Sequence, residues 1–327
     1  MVLPYYLRLL CLCAAAFFVV HAVAWLAIRS VSATSVRVAG TMRPGQAARL
    51  LFWLRIAPTS VTLFLVIGFC IPSYVWLEPD WAGERVGWLC LTAAALGAAT
   101  WLIAVVRGSV ALTRTRLYLR NCRSSEQPAN VEFPYVDDVM VLDKGVAVMA
   151  VTGVVRPRLV VSRAVLDTLS EEQKNAAFRH EEAHRSSHDN LKRLLFLVTP
   201  DVLPFARGLS PMERGWAKYS EWAADDAAVD GSQDRALSLA SALVKVAKLG
   251  LQPAPRHVLS SLMDDKRELE VRVDRLLREP AYAERPLQPL AAFAVRAAVI
   301  LGSVGATLLL WPESLGGIHQ LLERLVQ

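Results

Sequence analysis

The chain has 327 residues, of which 54% are hydrophobic and 20% charged, and it carries a formal net charge of +6. Its mean hydropathy of +0.34 beside so many charges requires apolar blocks to alternate with charged ones, which excludes a purely soluble protein and implies a membrane protein with a soluble part. The excess Arg lies beside apolar runs without a nucleic-acid-binding motif, so the charge reads as membrane topology and direct nucleic-acid binding is not expected.

The first apolar run, Leu9 to Ile28, is long enough to cross a hydrocarbon core, which takes roughly 20 helical residues. Ala22-Val23-Ala24 resembles a signal-peptide cleavage site. Cleavage would put the following arginine-rich loop outside, against the rule that basic loops stay in the cytoplasm, so a retained span is expected. The loop over 29–55 holds Arg29, Arg37, Arg43, Arg49 and Arg55 with no acid between them. Two more runs follow, Ile56 to Leu77, in which Pro58 and Pro72 are tolerable kinks, and Val86 to Val106. The loop between them holds Glu78, Asp80 and Glu84 against Arg85, whereas Arg107, Arg114, Arg116, Arg120 and Arg123 come before the first acid after the third span, Glu126. By charge, 29–55 and the large region 107–289 face the cytoplasm. A fourth run, Leu290 to Trp311, with Arg296 snorkelling to an interface, leaves a short tail over 312–327 outside with the amino terminus. The expected fold is an α-helical membrane protein of about four spans with an inserted α+β domain: three spans within 1–106, the domain over 107–289, the fourth span over 290–311. Cys11, Cys13, Cys70 and Cys90 all fall in apolar runs, where thiols act as small hydrophobes. No CxxC pair supports a disulfide framework or a thiolate metal site.

Within the insertion, β-rich runs at Val146 to Val151 and Arg158 to Ser162 flank the turn-prone Gly153. The strand near Leu159 to Ser162 is expected either in the core or at an edge that pairs with an extended substrate. Ser170 and Gln173 form a capping box that opens a helix expected over Glu171 to Asp189. Further helices are expected over Met212 to Val229, over Arg235 to Leu249 after Asp234 as cap, and over the charged stretch Leu262 to Arg278. The apolar stretch Leu191 to Phe205, interrupted by Pro200, Asp201 and Pro204, is too short to span and is expected in the domain core or against the membrane surface.

The first of these helices contains HEEAH, His180 to His184. Residues four apart share a helical face, so both imidazoles reach one ion, and neutral nitrogen ligands near 2 Å suit Zn2+. Glu181, next to the first ligand, is positioned to take a proton from a water on that ion. EWAAD supplies a third ligand, Glu221, with Asp225 one turn on to accept the remaining imidazole hydrogen of a ligating His. His188 lies two turns from His180, about 12 Å along the axis, too far to share the ion. Ser187 and Asn190 stand where an extended HExxHxxGxxH pattern needs Gly and His. Asp226, about 100° around the helix from Asp225, is expected in solvent. Charged neighbours Arg179 and Arg185 place the motif outside the membrane.

The run PRLVVSRAVLDTLSEEQKNAAFRHEEAH, then DN at Asp189, then EWAADDAA resembles the membrane-anchored gluzincin peptidases. With three spans before the catalytic insertion and one after, the layout is similar to the BlaR/MecR-type signal-transducer metalloproteases. The resemblance implies a zincin-like domain in which His180, His184 and Glu221 bind one Zn2+, Glu181 is the catalytic base and Asp225 stands behind a ligand. It also implies a protein substrate in the cytoplasm, notably a transcriptional repressor, a location in a bacterial inner membrane among its lipids, and an oligomeric state for which a homodimer is one alternative. The family's penicillin-binding sensor is not expected, since only some fifteen residues follow Trp311. Two other readings share the motif: a quality-control protease like the heat-shock membrane peptidases, which place two spans before the catalytic domain, and a non-catalytic scaffold with a structural zinc. Structural zinc sites need no general base, so Glu181 argues against the second.

Overall fold

The computed structural model describes residues 4–77, 86–123, 139–143, 148–202, 209–249 and 266–278. The acidic loop at Glu78 to Arg85, Glu126, and the fourth run at Leu290 to Trp311 with Arg296 and the tail lie outside them.

Among the described residues three helices are long and apolar enough to cross a membrane. Helix α1 (Tyr5–Ala39) runs well past the expected 9–28. Helix α2 (Pro44–Leu65) opens on Pro44, whose missing N–H costs nothing at a first turn, and it passes through a π-helical segment (Val66–Cys70) into α3 (Ile71–Leu77). The π turn immediately precedes Pro72, which has no N–H to donate and so interrupts the regular ladder there. Helix α4 (Trp88–Arg123) again exceeds the expected 86–106. The extra turns have a packing cause. At 1.5 Å per residue each helix outruns a roughly 30 Å hydrocarbon core; α1 and α2 pack on the domain through a cluster that joins Trp25, Leu51 and Phe52 to Phe196, Met212 and Trp216, and the end of α4 packs Tyr118, Leu119 and Cys122 on Met140 and Val160.

A polar knot holds this junction. Buried Arg55 on α2 reaches Glu213 Oε1 at 2.6 Å and Asp201 Oδ1 at 3.0 Å, Arg107 on α4 lies 3.4 Å from Asp201 Oδ2, and His21 on α1 donates to the Pro200 carbonyl at 3.1 Å. All three long helices are thus tied to the 199–213 region. Helices α1 and α4 meet so closely that a Cβ on Gly97 would lie 2.4 Å from the Ala14 carbonyl oxygen. Gly97→Ala is therefore expected to destabilise the bundle by about 1–3 kcal/mol, as overpacking does; an unchanged thermal unfolding midpoint in detergent would contradict that close approach.

The domain begins with three short strands, β1 (Val139–Leu142), β2 (Met149–Thr152) and β3 (Arg158–Ser162), in the order β1-β3-β2. β3 pairs parallel to β1 and antiparallel to β2. The strand at Leu159 to Ser162 is consequently central, with neighbours on both sides, and the edge reading of it is corrected: β2 is the edge next to the helices. The first strand had no reading in the sequence, because VMVL is too short to show a period. Helix α5 (Arg163–Thr168) leads to α6 (Glu171–Ser186), opened by the expected Ser170–Gln173 capping box.

Helix α6 stops at Ser186, three residues short of the expected Asp189. His188 adopts φ 56°, a left-handed conformation, and a new helix α7 (Asp189–Val198) begins. The stretch from Leu191 is accordingly helical up to Val198, with Phe196 buried in the junction. Helices α8 (Ser210–Val229) and α9 (Gln233–Lys248) follow; α9 is capped by Ser232, whose Oγ accepts from Arg235 N, rather than by Asp234. Helix α10 (Lys266–Leu277) buries Leu276 and packs Leu269 and Val273 on the core formed by β2, β3, α6 and α9.

Candidate metal centre

Helix α6 presents His180 and His184 on one face, both buried, with their Nε2 atoms 3.2 Å apart. Helix α8 brings Glu221 to the same point: Oε2 lies 3.5 Å from His180 Nε2 and Oε1 3.5 Å from His184 Nε2. Ligands about 2 Å from a tetrahedral ion stand about 3.3 Å from one another, and the three side chains, with ligand atoms within 4.8 Å of one another, converge to nearly that spacing.

The two Nδ1 atoms point the other way, each to its own carboxylate. His180 Nδ1 faces Asp225 Oδ1 at 3.0 Å, and His184 Nδ1 faces Asp189 Oδ2 at 2.7 Å. A carboxylate behind each ring keeps the hydrogen on Nδ1 and the Nε2 lone pair toward the centre. Asp189 is the residue that sequence reasoning quoted without a role, and the left-handed turn at His188 is what brings it back beneath His184. Ser220 Oγ donates to the same Asp189 oxygen at 2.5 Å, and Lys192 Nζ sits 3.1 Å from the other.

Glu181 is buried, with Oε2 accepting from the Val151 N–H at 2.9 Å and Oε1 without a hydrogen-bond partner among the described residues. Asn190 donates to the Val151 and Gly153 carbonyls at 2.9 and 3.0 Å. Both backbone polar groups of Val151 are therefore taken by side chains of the site, and the edge strand is tied to it at that residue. Burial pushes the Glu181 carboxyl above the ordinary range despite the two histidines beside it.

Arg272 completes the cluster and was read in the sequence only as one charge on a charged helix. It is buried, binds Asp225 in a bidentate pair at 2.6 and 2.9 Å, reaches Glu221 Oε2 at 3.1 Å and passes 3.4 Å from His180 Nε2. A signal for it existed. Leu269, Val273 and Leu276 mark the apolar stripe of α10, and Arg272 falls inside that stripe, where an unpaired cation would be costly. Asp226, expected in solvent, is instead paired with Arg275 and only partly exposed. His188 is exposed, its Nδ1 2.9 Å from the Ser186 carbonyl, and takes no part in the centre.

The electrostatics favour a cation. Burial opposes ionisation of Asp189 and Asp225, yet His184 and Lys192 hold the first, and Arg272 and His180 the second, down to about 2. Burial likewise opposes charge on the imidazoles, but Glu221 and Asp189 push His184 up to about 10, and Asp225 and Glu221 raise His180. Asp189→Asn and Asp225→Asn are each expected to weaken metal binding by about 10- to 100-fold, the usual cost of losing the group behind a ligating His; competition with a chelating dye measures it, and an unchanged affinity in both variants would contradict this role.

A protein-family model described as BlaR1 peptidase M56 matches residues 82–276, a span that holds every residue of this cluster. None of the curated proteins matches the chain.

Proposed function

The chain belongs to the BlaR1 peptidase M56 family, and on that premise we propose that it is a membrane-anchored zinc endopeptidase that cuts a cytoplasmic regulatory protein, with a transcriptional repressor as the expected class of substrate. The observation that carries this reading is the trio His180, His184 and Glu221, whose ligand atoms lie within 4.8 Å of one another, next to a buried carboxylate with a free oxygen. The proposal includes four spans in a bacterial inner membrane, with both termini outside. It also includes a zincin-like domain over 107–289 on the cytoplasmic side, where the arginine-rich ends of the apolar helices lie.

In this reading His180, His184 and Glu221 hold one Zn2+. The ion supplies a Lewis acid for the scissile carbonyl and brings the pKa of a water near roughly 7. Glu181 takes the proton of the attacking water on Oε1. The Val151 N–H holds Oε2, so the carboxylate cannot swing away, and burial makes it a stronger base than an exposed Glu. Glu181 then passes the proton to the leaving amine. Asp225 and Asp189 act through the rings, holding the orientation in which both Nε2 lone pairs converge.

The test is co-expression with candidate cytoplasmic proteins, reading new protein termini by mass spectrometry in the wild type and in Glu181→Ala while recording bound zinc. New termini that need Glu181 support the reading and name the substrate. Zinc in both proteins with identical termini would favour a scaffold, and absence of zinc from both would overturn the site.

A further inference from the structure

Where α2 leaves the domain for the membrane, its first three turns form one wall of a pocket of about 390 Å³, and the other walls come from α7, α8 and the turn at Ser187. Small residues keep it open. A Cβ added to Gly45 would meet only Ala223 Cβ within 4 Å, and Ala48 adds little bulk beside it.

Two cations line the pocket, Arg49 from α2 and Lys192 from α7, against one carboxylate, Asp189. That carboxylate is already satisfied. Its Oδ2 accepts from His184 Nδ1 at 2.7 Å and from the Ser220 hydroxyl at 2.5 Å, and its Oδ1 accepts from Lys192 Nζ at 3.1 Å. Arg49 is exposed and makes no hydrogen bond or ion pair among the described residues. With Lys192 and Asp189 balancing each other, the charge of Arg49 is left over, and the stretch 29–55 around it brings further Arg and no acid. The pocket is therefore set for an anion, which the guanidinium of Arg49 can hold with two parallel N–H donors.

Depth selects the source of that anion. Trp53 precedes Ile56, the first residue of the apolar run, by about 5 Å along the helix axis, and Arg49 precedes it by about 10 Å. An aromatic ring followed by a cation at this distance marks the headgroup layer of a bilayer. Trp53 is 60% exposed at the lip of the pocket, and Phe64, within about 60° of Arg49 around α2, is 46% exposed. A soluble anion would meet the cations and leave this apolar side of α2 uncovered, whereas a phospholipid covers both.

We propose that the pocket between α2, α7 and α8 binds the headgroup of an anionic phospholipid, its phosphate at Arg49 and Lys192 and its acyl chains along the Trp53–Phe64 side of α2. Basic pockets between membrane helices recognise phosphate headgroups in this way. The phosphate takes the place of water around Arg49 and shares Lys192 with Asp189, so the lipid lies against the carboxylate that stands behind His184.

The experiment is native mass spectrometry of the full chain released from detergent micelles, titrated with phosphatidylglycerol, each variant being mixed with wild type so that both meet the same free lipid. Arg49→Gln is expected to weaken the first bound phosphatidylglycerol by about tenfold or more, the loss of one charge-assisted contact. Gly45→Leu changes no charge but fills the pocket, and it should weaken that lipid as much. Arg37→Gln removes an exposed charge of the same basic stretch outside the pocket and should bind as wild type does. Phosphatidylcholine, with a phosphate but no net charge, should bind more weakly than phosphatidylglycerol, and glycerol 3-phosphate, which lacks acyl chains, should not displace the lipid. Gly45 and Arg49 are both exposed, so thermal unfolding midpoints equal to that of wild type are expected and show that the variants fold. First-lipid binding unchanged in either pocket variant, an equal loss in Arg37→Gln, equal retention of phosphatidylcholine, or displacement by glycerol 3-phosphate at a comparable concentration would each overturn the proposal. None of these readouts depends on zinc or on peptidase activity.

Discussion

Glu181→Gln is expected to abolish peptide-bond cleavage, by at least the roughly 10²- to 10⁴-fold that a positioned general base contributes, while leaving about one zinc per chain. The substitution is nearly isosteric, and the amide oxygen of Gln can still accept from the Val151 N–H that now binds Oε2. The side chain therefore stays in place and loses only its ability to take a proton. Glu181 lies beside His180 in the chain but is not one of the three atoms that converge, so metal content should not follow activity. Turnover of an identified substrate and metal analysis of the same preparation give both numbers. A variant that keeps more than a tenth of wild-type turnover would remove Glu181 from the base role, and one that loses zinc along with activity would assign it to the ligand shell.

Arg272→Met should be the most damaging single change to the stability of the domain. The guanidinium lies between two carboxylates, bidentate to Asp225 and 3.1 Å from Glu221, and all three side chains are largely withdrawn from solvent. Methionine keeps much of the apolar stem but leaves two buried anions short of a cation. Breaking a buried pair in this way typically costs about 3–5 kcal/mol. The loss is expected in full after zinc is removed with a chelator and to shrink when zinc is restored, because the ion then offsets the charge on Glu221. Arg272→Lys should recover only part of it, since an ammonium cannot make the two-pronged contact with Asp225. Thermal unfolding with and without chelator separates these cases, and equal midpoints for wild type and Arg272→Met in the stripped protein would exclude this role for the cation.

Both predictions turn on residues of different legibility. His180, Glu181 and His184 stand out in the sequence because a helix places positions four apart on one face without help from the rest of the chain. Glu221 is legible only through its motif, since nothing local says that α8 crosses α6. The sequence points to Asp225 behind a ligating His without saying which, and the structure puts it behind His180, while the carboxylate behind His184 has no such signal. Asp189 reaches its partner because α6 breaks at His188, and a left-handed residue that is not glycine has weak local signals. Arg272 illustrates the same limit from farther away, since its partners lie on another helix and its charge looks ordinary in a run rich in Lys, Arg and Glu.

The apolar helices show the complementary pattern. Local sequence by itself determined that the chain is a membrane protein, that three long apolar segments precede the domain, and that a helix carrying HEEAH opens at Ser170, because hydropathy and capping are properties of short stretches. Tertiary structure decided how far those helices extend, since the surplus turns are held by packing and by the Arg55–Asp201–Glu213 knot rather than by their own hydrophobicity. It also decided that β3 is central and that β2 forms the edge next to the helices, because strand order depends on which distant segments pair. And it decided which charges meet the metal centre: burial and electrostatics are summed over neighbours in space, and for Asp189 and Arg272 those neighbours are supplied by the fold.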